Sequence, residues 1–125
     1  MLQYDDATHT YTLDGIRLKS VTQILREAGL TDYANVNPAV LQRSQDFGTA
    51  VHDMTYLYDR NDLDMESLDH ALVPLLDAWK SFLCVSGWET AASEQLVYSR
   101  RYLYAGRYDR KGIYNGKLTI LDIKT

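Results

Sequence analysis

The first residues of the chain alternate between apolar and polar side chains around a turn signal. This period of two extends over residues 11–18, with Asp14-Gly15 at its centre. Asp-Gly is among the strongest short-range signals for a β-hairpin, so a hairpin is predicted here. Ser20 and Gly29 enclose the next apolar run and are typical of a helix N-cap and a helix stop. Residues 1–36 are therefore predicted to form a hairpin followed by a short helix.

The middle of the chain has the apolar spacing of amphipathic helices. Asn37 is typical of an N-cap, and the helical pattern then runs from Pro38 to Tyr58. A second apolar helix follows an acidic connector and is predicted to end at Gly87. Residues 37–87 are thus predicted to be a helical segment.

From residue 88 onward the pattern returns to a period of two. It predicts three strands, over residues 94–99, 102–109 and 117–124. Asn115-Gly116 is predicted to turn the last hairpin. We expect a mixed α/β (α+β) fold in a single domain of residues 1–125, because this length suffices for one hydrophobic core of ordinary size but not for two.

Charge is distributed unevenly along the chain. Residues 1–95 contain 6 Lys and Arg against 15 Asp and Glu, whereas residues 96–125 contain 7 against 2. The basic part interleaves tyrosines with four arginines, Arg100, Arg101, Arg107 and Arg110. This mixture suits base stacking and phosphate binding, and it equally suits the ordinary alternation of a half-buried sheet, so both interpretations stay open.

Several classes of protein are excluded by composition. Cys84 is the single cysteine, which excludes a disulfide framework and a four-cysteine iron-sulfur cluster. No apolar stretch is long enough to cross a membrane, and the N-terminus lacks the pattern of a signal peptide. We therefore expect a soluble cytoplasmic protein with no membrane partner.

Candidate chemistry is concentrated in the last third. Asp122 and Lys124 lie two residues apart in a predicted strand, so their side chains share one face, about 7 Å apart. Asp109 and Asp122 are nearly equidistant from the Asn115-Gly116 turn, so antiparallel pairing would bring these two carboxylates together. Adjacent carboxylates repel each other unless a cation lies between them, and oxygen ligands suit Mg²⁺ or Mn²⁺. This arrangement favours metal-assisted hydrolysis of a phosphodiester.

Each of these residues also has an ordinary structural explanation. A histidine on a helix, such as His52, is more often structural than functional. Asp109 has the residue type of a turn, and Asp122 with Lys124 is also typical of a solvated salt bridge on an edge strand.

Four motifs follow one another along the chain. They are Gly48-Thr49-Ala50-Val51-His52, then Glu94, then Ala105-Gly106-Arg107-Tyr108-Asp109, then Asp122-Ile123-Lys124-Thr125. In this order they resemble the RecB-like branch of the PD-(D/E)XK nuclease superfamily. The resemblance covers roughly residues 48–125 and implies a restriction-endonuclease-like mixed sheet with flanking helices.

The resemblance also implies roles for individual residues. Lys124 would position or activate the nucleophile. Glu94 matches the family's upstream glutamate, with Glu89 as a nearby alternative, and would join Asp109, Asp122 and Lys124 in catalysis. The Mg²⁺ or Mn²⁺ ligands would be Asp109, Asp122, the carbonyl oxygen of Ile123 and His52, which would lie at the metal site as a ligand or as a phosphate contact.

The implied function is metal-dependent hydrolysis of single- or double-stranded DNA in phage or bacterial replication, recombination or repair. Exonuclease action is favoured by analogy with RecB-like relatives, and endonuclease action stays open. The alternative is a noncatalytic nucleic-acid-binding or assembly module with the same fold. A mononucleotide or sugar-phosphate phosphohydrolase ranks last, because no glycine-rich phosphate loop is present.

The family's fold continues beyond the Asp-x-Lys strand into a helix and at least one further strand. The sequence ends at Thr125, so two explanations stay open. The chain is truncated there, or a homo-oligomer or a partner chain completes the sheet.

Overall fold

The structure, a computed structural model, describes all 125 residues and has the predicted α+β character. Its mixed sheet has the order β1-β2-β3-β5-β4, and β6 also pairs with β5. The strands are β1 (Leu2–Asp5), β2 (Thr10–Leu13), β3 (Ile16–Ser20), β4 (Glu89–Ser99), β5 (Tyr104–Tyr114) and β6 (Lys117–Leu121). The helices are α1 (Val21–Glu27), α2 (Pro38–Asp59) and α3 (Val73–Ser86), with a short 3-10 helix (His70–Leu72) before α3. None of the helices combines the length and apolar character that crossing a membrane requires.

The residues divide into two compact units. The first consists of Met1–Asn35 and Gln95–Tyr108, and the second of Val36–Glu94 and Asp109–Thr125. Each unit contains its own cluster of buried apolar side chains. All of the candidate site residues belong to the second unit.

The first unit contains the predicted hairpin. β2 and β3 pair with Tyr11 opposite Leu18, and β1, which the sequence pattern did not indicate, adds a further antiparallel strand to β2. Ser20 caps α1 as predicted, because its hydroxyl accepts a hydrogen bond from the backbone N–H of Gln23 at 3.0 Å. The parallel pairing of β3 with the first residues of β5 makes the sheet mixed.

The second unit is built on the packing of α2 against α3. Asn37 caps α2 by accepting a hydrogen bond from the N–H of Ala39 at 2.9 Å, which confirms the predicted start of the helix. Val51 and Met54 of α2 are buried against Leu76 of α3. This packing fixes the rotation of α2 about its axis.

The hairpin of β5 and β6 differs from the prediction in the length of its strands. β5 continues to Tyr114, so Asp109 lies in the middle of this strand and not at its end. The prediction ended too early because consecutive charged residues at Arg110 and Lys111 interrupt the expected alternation. Arg110 is nevertheless fully buried.

The turn and the register of this hairpin agree with the prediction. Asn115 and Gly116 have φ values of 51° and 75°, as a type I′ turn requires. Arg110 pairs with Leu121, so the next position in the same register sets Asp109 opposite Asp122. β6 ends before Asp122, earlier than predicted.

Candidate metal centre

Three of the predicted site residues converge, each from a different element. His52 comes from α2, Glu94 from β4 and Asp109 from β5, and their potential ligand atoms all lie within 4.8 Å of one another. His52 Nδ1 is 3.5 Å from Glu94 Oε1 and 3.5 Å from Asp109 Oδ1. Because these donor groups could hold a metal ion, we call the three residues the metal cluster.

Glu94 has an unusual backbone conformation for a residue within a strand. Its φ of 51° lies in the left-handed region, which is unfavourable for residues other than glycine, asparagine and aspartate. Such local strain persists where the surrounding structure enforces it. Glu89, the alternative glutamate, is exposed at the start of β4 and is not part of the metal cluster.

Asp109 joins β5 to the segment that follows β6. Its Oδ2 accepts a hydrogen bond from the backbone N–H of Ile123 at 2.7 Å. Because this N–H is directed to a side chain, it is not used in a strand ladder, which accounts for the early end of β6. The side chain of Ile123 packs against the apolar cluster of α2 and α3. The contact observed for Ile123 is that of its N–H, and a ligand role for its carbonyl oxygen stays a prediction.

The pKa of the Asp109 carboxyl is raised, first because burial disfavours its charged form. The hydrogen bond from Ile123 opposes this rise, whereas the nearby carboxyls of Asp122 and Glu94 add to it. The groups around Asp109 therefore do not fully offset the unfavourable free energy of burying its ionised form. Binding of a cation would supply that compensation.

Asp122 and Lys124 form a solvated salt bridge, as expected from the nonfunctional explanation of this pair. Lys124 Nζ lies 2.7 Å from Asp122 Oδ2, and both side chains are exposed. The pKa of Asp122 is lowered, first by its bond to Lys124 and then by a hydrogen bond shared with Asp109. Asp122 therefore lies beside Asp109, although its ligand atoms fall outside the 4.8 Å set of the metal cluster.

The pKa of His52 is raised, chiefly by its hydrogen bond to Glu94. Burial of the ring opposes the rise, and the charge of Asp109 adds to it. A protonated imidazole and a divalent cation would each balance the charge of the same two carboxylates. Protonation of His52 and binding of the cation therefore compete with each other.

Arg110 is the residue near the site whose role sequence analysis missed. Its side chain is completely buried, which contradicts the suggestion that it binds phosphates or bases at the surface. It donates to Asp59 Oδ2 at 3.0 Å and to Thr55 Oγ1 at 3.1 Å, both on α2. It also donates to Glu94 Oε1 at 3.3 Å. Asp59 lies 51 residues away along the chain, so no local pattern could have identified this pair.

The chemistry of the donors fits a divalent cation. The metal cluster offers one imidazole nitrogen from a helix and two carboxylates from two strands. Carboxylate oxygens suit Mg²⁺ and Mn²⁺, and Mn²⁺ also tolerates an imidazole ligand.

Comparison with known proteins identifies no relative. The chain matches no protein-family model, and no curated protein or solved structure is significantly similar to it. A functional proposal for this chain therefore depends on its own residues and their geometry.

Proposed function

We propose that this chain is a metal-dependent DNA nuclease that hydrolyses phosphodiester bonds, with Mg²⁺ or Mn²⁺ held by His52, Glu94 and Asp109. The observation that carries the proposal is that ligand atoms from three different elements lie within 4.8 Å of one another. The register that sets Asp122 opposite Asp109 adds support. So does the resemblance of the four motifs to RecB-like nucleases.

The residues around the metal cluster would divide the chemistry among them. A bound divalent cation would polarise a phosphoryl oxygen and make a neighbouring water more acidic. Glu94 and Asp109 would hold this charge at a fixed place between β4 and β5. Lys124 presents an exposed ammonium beside Asp122, where it would position or activate the attacking water, as the resemblance implies, and stabilise negative charge that develops on the phosphate.

A noncatalytic nucleic-acid-binding or assembly module is the second candidate. The observation that favours it is the salt bridge of Lys124 with Asp122, because a lysine engaged in that way is not directed at a substrate. The two candidates differ in one property, which is turnover.

Cleavage assays on end-labelled DNA test the proposal. Linear single-stranded, linear double-stranded and circular DNA would be incubated with Mg²⁺, with Mn²⁺ and with EDTA. The proteins would be the wild type, Asp109→Asn, Lys124→Met and, as a matched control, Lys117→Met at an exposed site on β6.

We expect metal-dependent cleavage by the wild type and by Lys117→Met, and none by Asp109→Asn. Lys124→Met should bind Mn²⁺ but cleave DNA at least about 100-fold more slowly than the wild type, in line with the loss of a charge-stabilising group. An exonuclease would leave circular DNA intact. A wild type that binds Mn²⁺ yet never cuts would support the noncatalytic module. Equal cutting by all four proteins would refute the assignment of these residues.

A further inference from the structure

The guanidinium of Arg110 is fixed on one side by contacts with α2 and α3. Besides its bonds to Asp59 and Thr55, it lies over the ring of Trp79 at 5.4 Å from the ring centroid. Trp79 Nε1 in turn donates to Asp59 Oδ1 at 2.8 Å. Both oxygens of Asp59 are thus used, and the guanidinium plane is held in a single orientation.

From this fixed position Arg110 contacts two residues of the metal cluster directly and is linked to the third through Thr55. It donates directly to Glu94 Oε1, the same oxygen that lies 3.5 Å from His52 Nδ1. Its Nη1 also donates to the backbone carbonyl of Asp109 at 2.8 Å. The connection to His52 passes through Thr55, whose hydroxyl accepts from Arg110 and donates to the His52 carbonyl at 3.0 Å.

We infer that Arg110 is the positioning residue of the metal cluster, holding Glu94, Asp109 and the His52 turn of α2 in place before a cation binds. An arginine suits this role because its planar fork donates in several fixed directions. A lysine at this position has a single nitrogen and cannot make the same set of contacts.

The left-handed backbone of Glu94 gives the contact a specific purpose. A strand residue other than glycine keeps a φ of 51° only where the surrounding structure enforces it. The bond from Arg110 to Glu94 Oε1 keeps the carboxylate directed toward His52 and Asp109. Arg110 also balances part of the negative charge of Glu94 and Asp59, which reduces the repulsion between the carboxylates when no metal is bound.

This inference depends on the metal site of the proposed function but not on DNA cleavage. It differs from a purely structural role for a buried ion pair, which would predict lower stability but unchanged metal affinity in the folded variants. Metal affinity is therefore the decisive measurement.

Titration with Mn²⁺, followed by the paramagnetic resonance signal of the free ion, would measure that affinity. The variants are Arg110→Met, Arg110→Lys and Thr55→Val, with Arg60→Met as the matched control. Arg60 is an exposed arginine at the end of α2, and its partners Asp62 and Tyr56 lie outside the metal cluster. Circular dichroism would establish that each variant is folded.

We expect Arg110→Met and Arg110→Lys to weaken Mn²⁺ binding by about 10- to 100-fold, as is typical when a residue that orients a ligand is removed. Thr55→Val should weaken it less, and Arg60→Met should leave it unchanged. In a Glu94→Gln background Arg110→Met should cost less affinity than in the wild type, because the path through Glu94 is already lost.

Wild-type affinity in folded Arg110→Lys, or full additivity of Arg110→Met with Glu94→Gln, would overturn the inference. If Arg110→Met does not fold, Arg110→Lys and Thr55→Val still decide the matter. If the wild type binds Mn²⁺ in an Arg110-dependent way but cleaves no DNA, the proposed nuclease activity is refuted and the role of Arg110 as the positioning residue stands. A wild type that binds no Mn²⁺ would overturn both.

Discussion

The carboxylate of Asp109 accepts a hydrogen bond from the backbone N–H of Ile123 at 2.7 Å, which joins the middle of β5 to the segment after β6. Asp109 therefore has two separable tasks. Its Oδ2 closes the end of the hairpin, while its Oδ1 faces His52 in the metal cluster.

Asparagine at position 109 should separate these tasks. Asp109→Asn keeps an oxygen that accepts from Ile123 but removes the charge, so we expect a folded protein with little affinity for Mn²⁺. Because the pKa of Asp109 is raised, its ionised form destabilises the metal-free protein at neutral pH. Thermal denaturation in EDTA should therefore show Asp109→Asn to be at least as stable as the wild type. Asp109→Ala, which also loses the hydrogen bond, should be less stable than Asp109→Asn, and the reverse order would contradict this division of roles.

Asp122 should matter less to metal affinity than Asp109. Its carboxylate is exposed, engaged by Lys124 and outside the metal cluster. Calorimetric titration with Mn²⁺ should show a smaller loss for Asp122→Asn than for Asp109→Asn. An equal or larger loss would mean that Asp122 leaves its salt bridge and becomes a principal ligand.

Protonation of His52 should depend on Glu94. The raised pKa of His52 arises chiefly from its bond to Glu94, so Glu94→Gln should lower it, as nuclear magnetic resonance of the imidazole protons would show. A raised folded pKa stabilises the protein fully below the unfolded value of about 6.5, and this contribution is lost as pH rises through the folded pKa. Because the proton competes with the cation, Mn²⁺ affinity should increase over the same interval. If the pKa of His52 were the same in Glu94→Gln as in the wild type, Glu94 could not be the main cause of its rise.

Two glycine-to-alanine substitutions should have opposite effects on stability. A Cβ at Gly112 would lie 2.8 Å from the Trp88 ring and would overlap the backbone carbonyl of Glu89. Gly112→Ala should therefore destabilise the protein by about 1–3 kcal/mol or more, as overpacking does. At Gly48, inside α2, the nearest atom would be Thr125 Oγ1 at 3.7 Å, so Gly48→Ala should stabilise by about 0.5–1 kcal/mol. Chemical denaturation measures both, and two effects of the same sign would contradict the packing described.

The sequence alone predicts those parts of the site that depend on local signals. The Asn115-Gly116 turn fixes the register that brings Asp109 and Asp122 together, and the N-cap at Asn37 fixes the start of the helix that carries His52. These features depend on residues within one or two turns of chain, so pattern and residue type are sufficient.

The remaining features depend on tertiary contacts. Arginine is usually a surface residue. Arg110 is buried because Asp59 and Glu94, both distant in sequence, accept hydrogen bonds from it. The left-handed φ of Glu94 is likewise enforced by its surroundings and not by its residue type. The sequence pattern ends β5 too early for the same reason, since the buried Arg110 interrupts the period of two.

The hairpin register also constrains how this protein can vary in evolution. Side chains alternate between the two faces of a strand, so one residue inserted within β6 would turn Asp122 away from Asp109. The connector between α2 and α3 is mostly exposed and irregular before the 3-10 helix, although Leu63 and Leu68 pack against the core, and insertions at its exposed positions would leave the register of β5 and β6 intact. Among natural variants that keep the metal cluster, we expect length changes to accumulate in that connector and to be absent between Asp109 and Asp122.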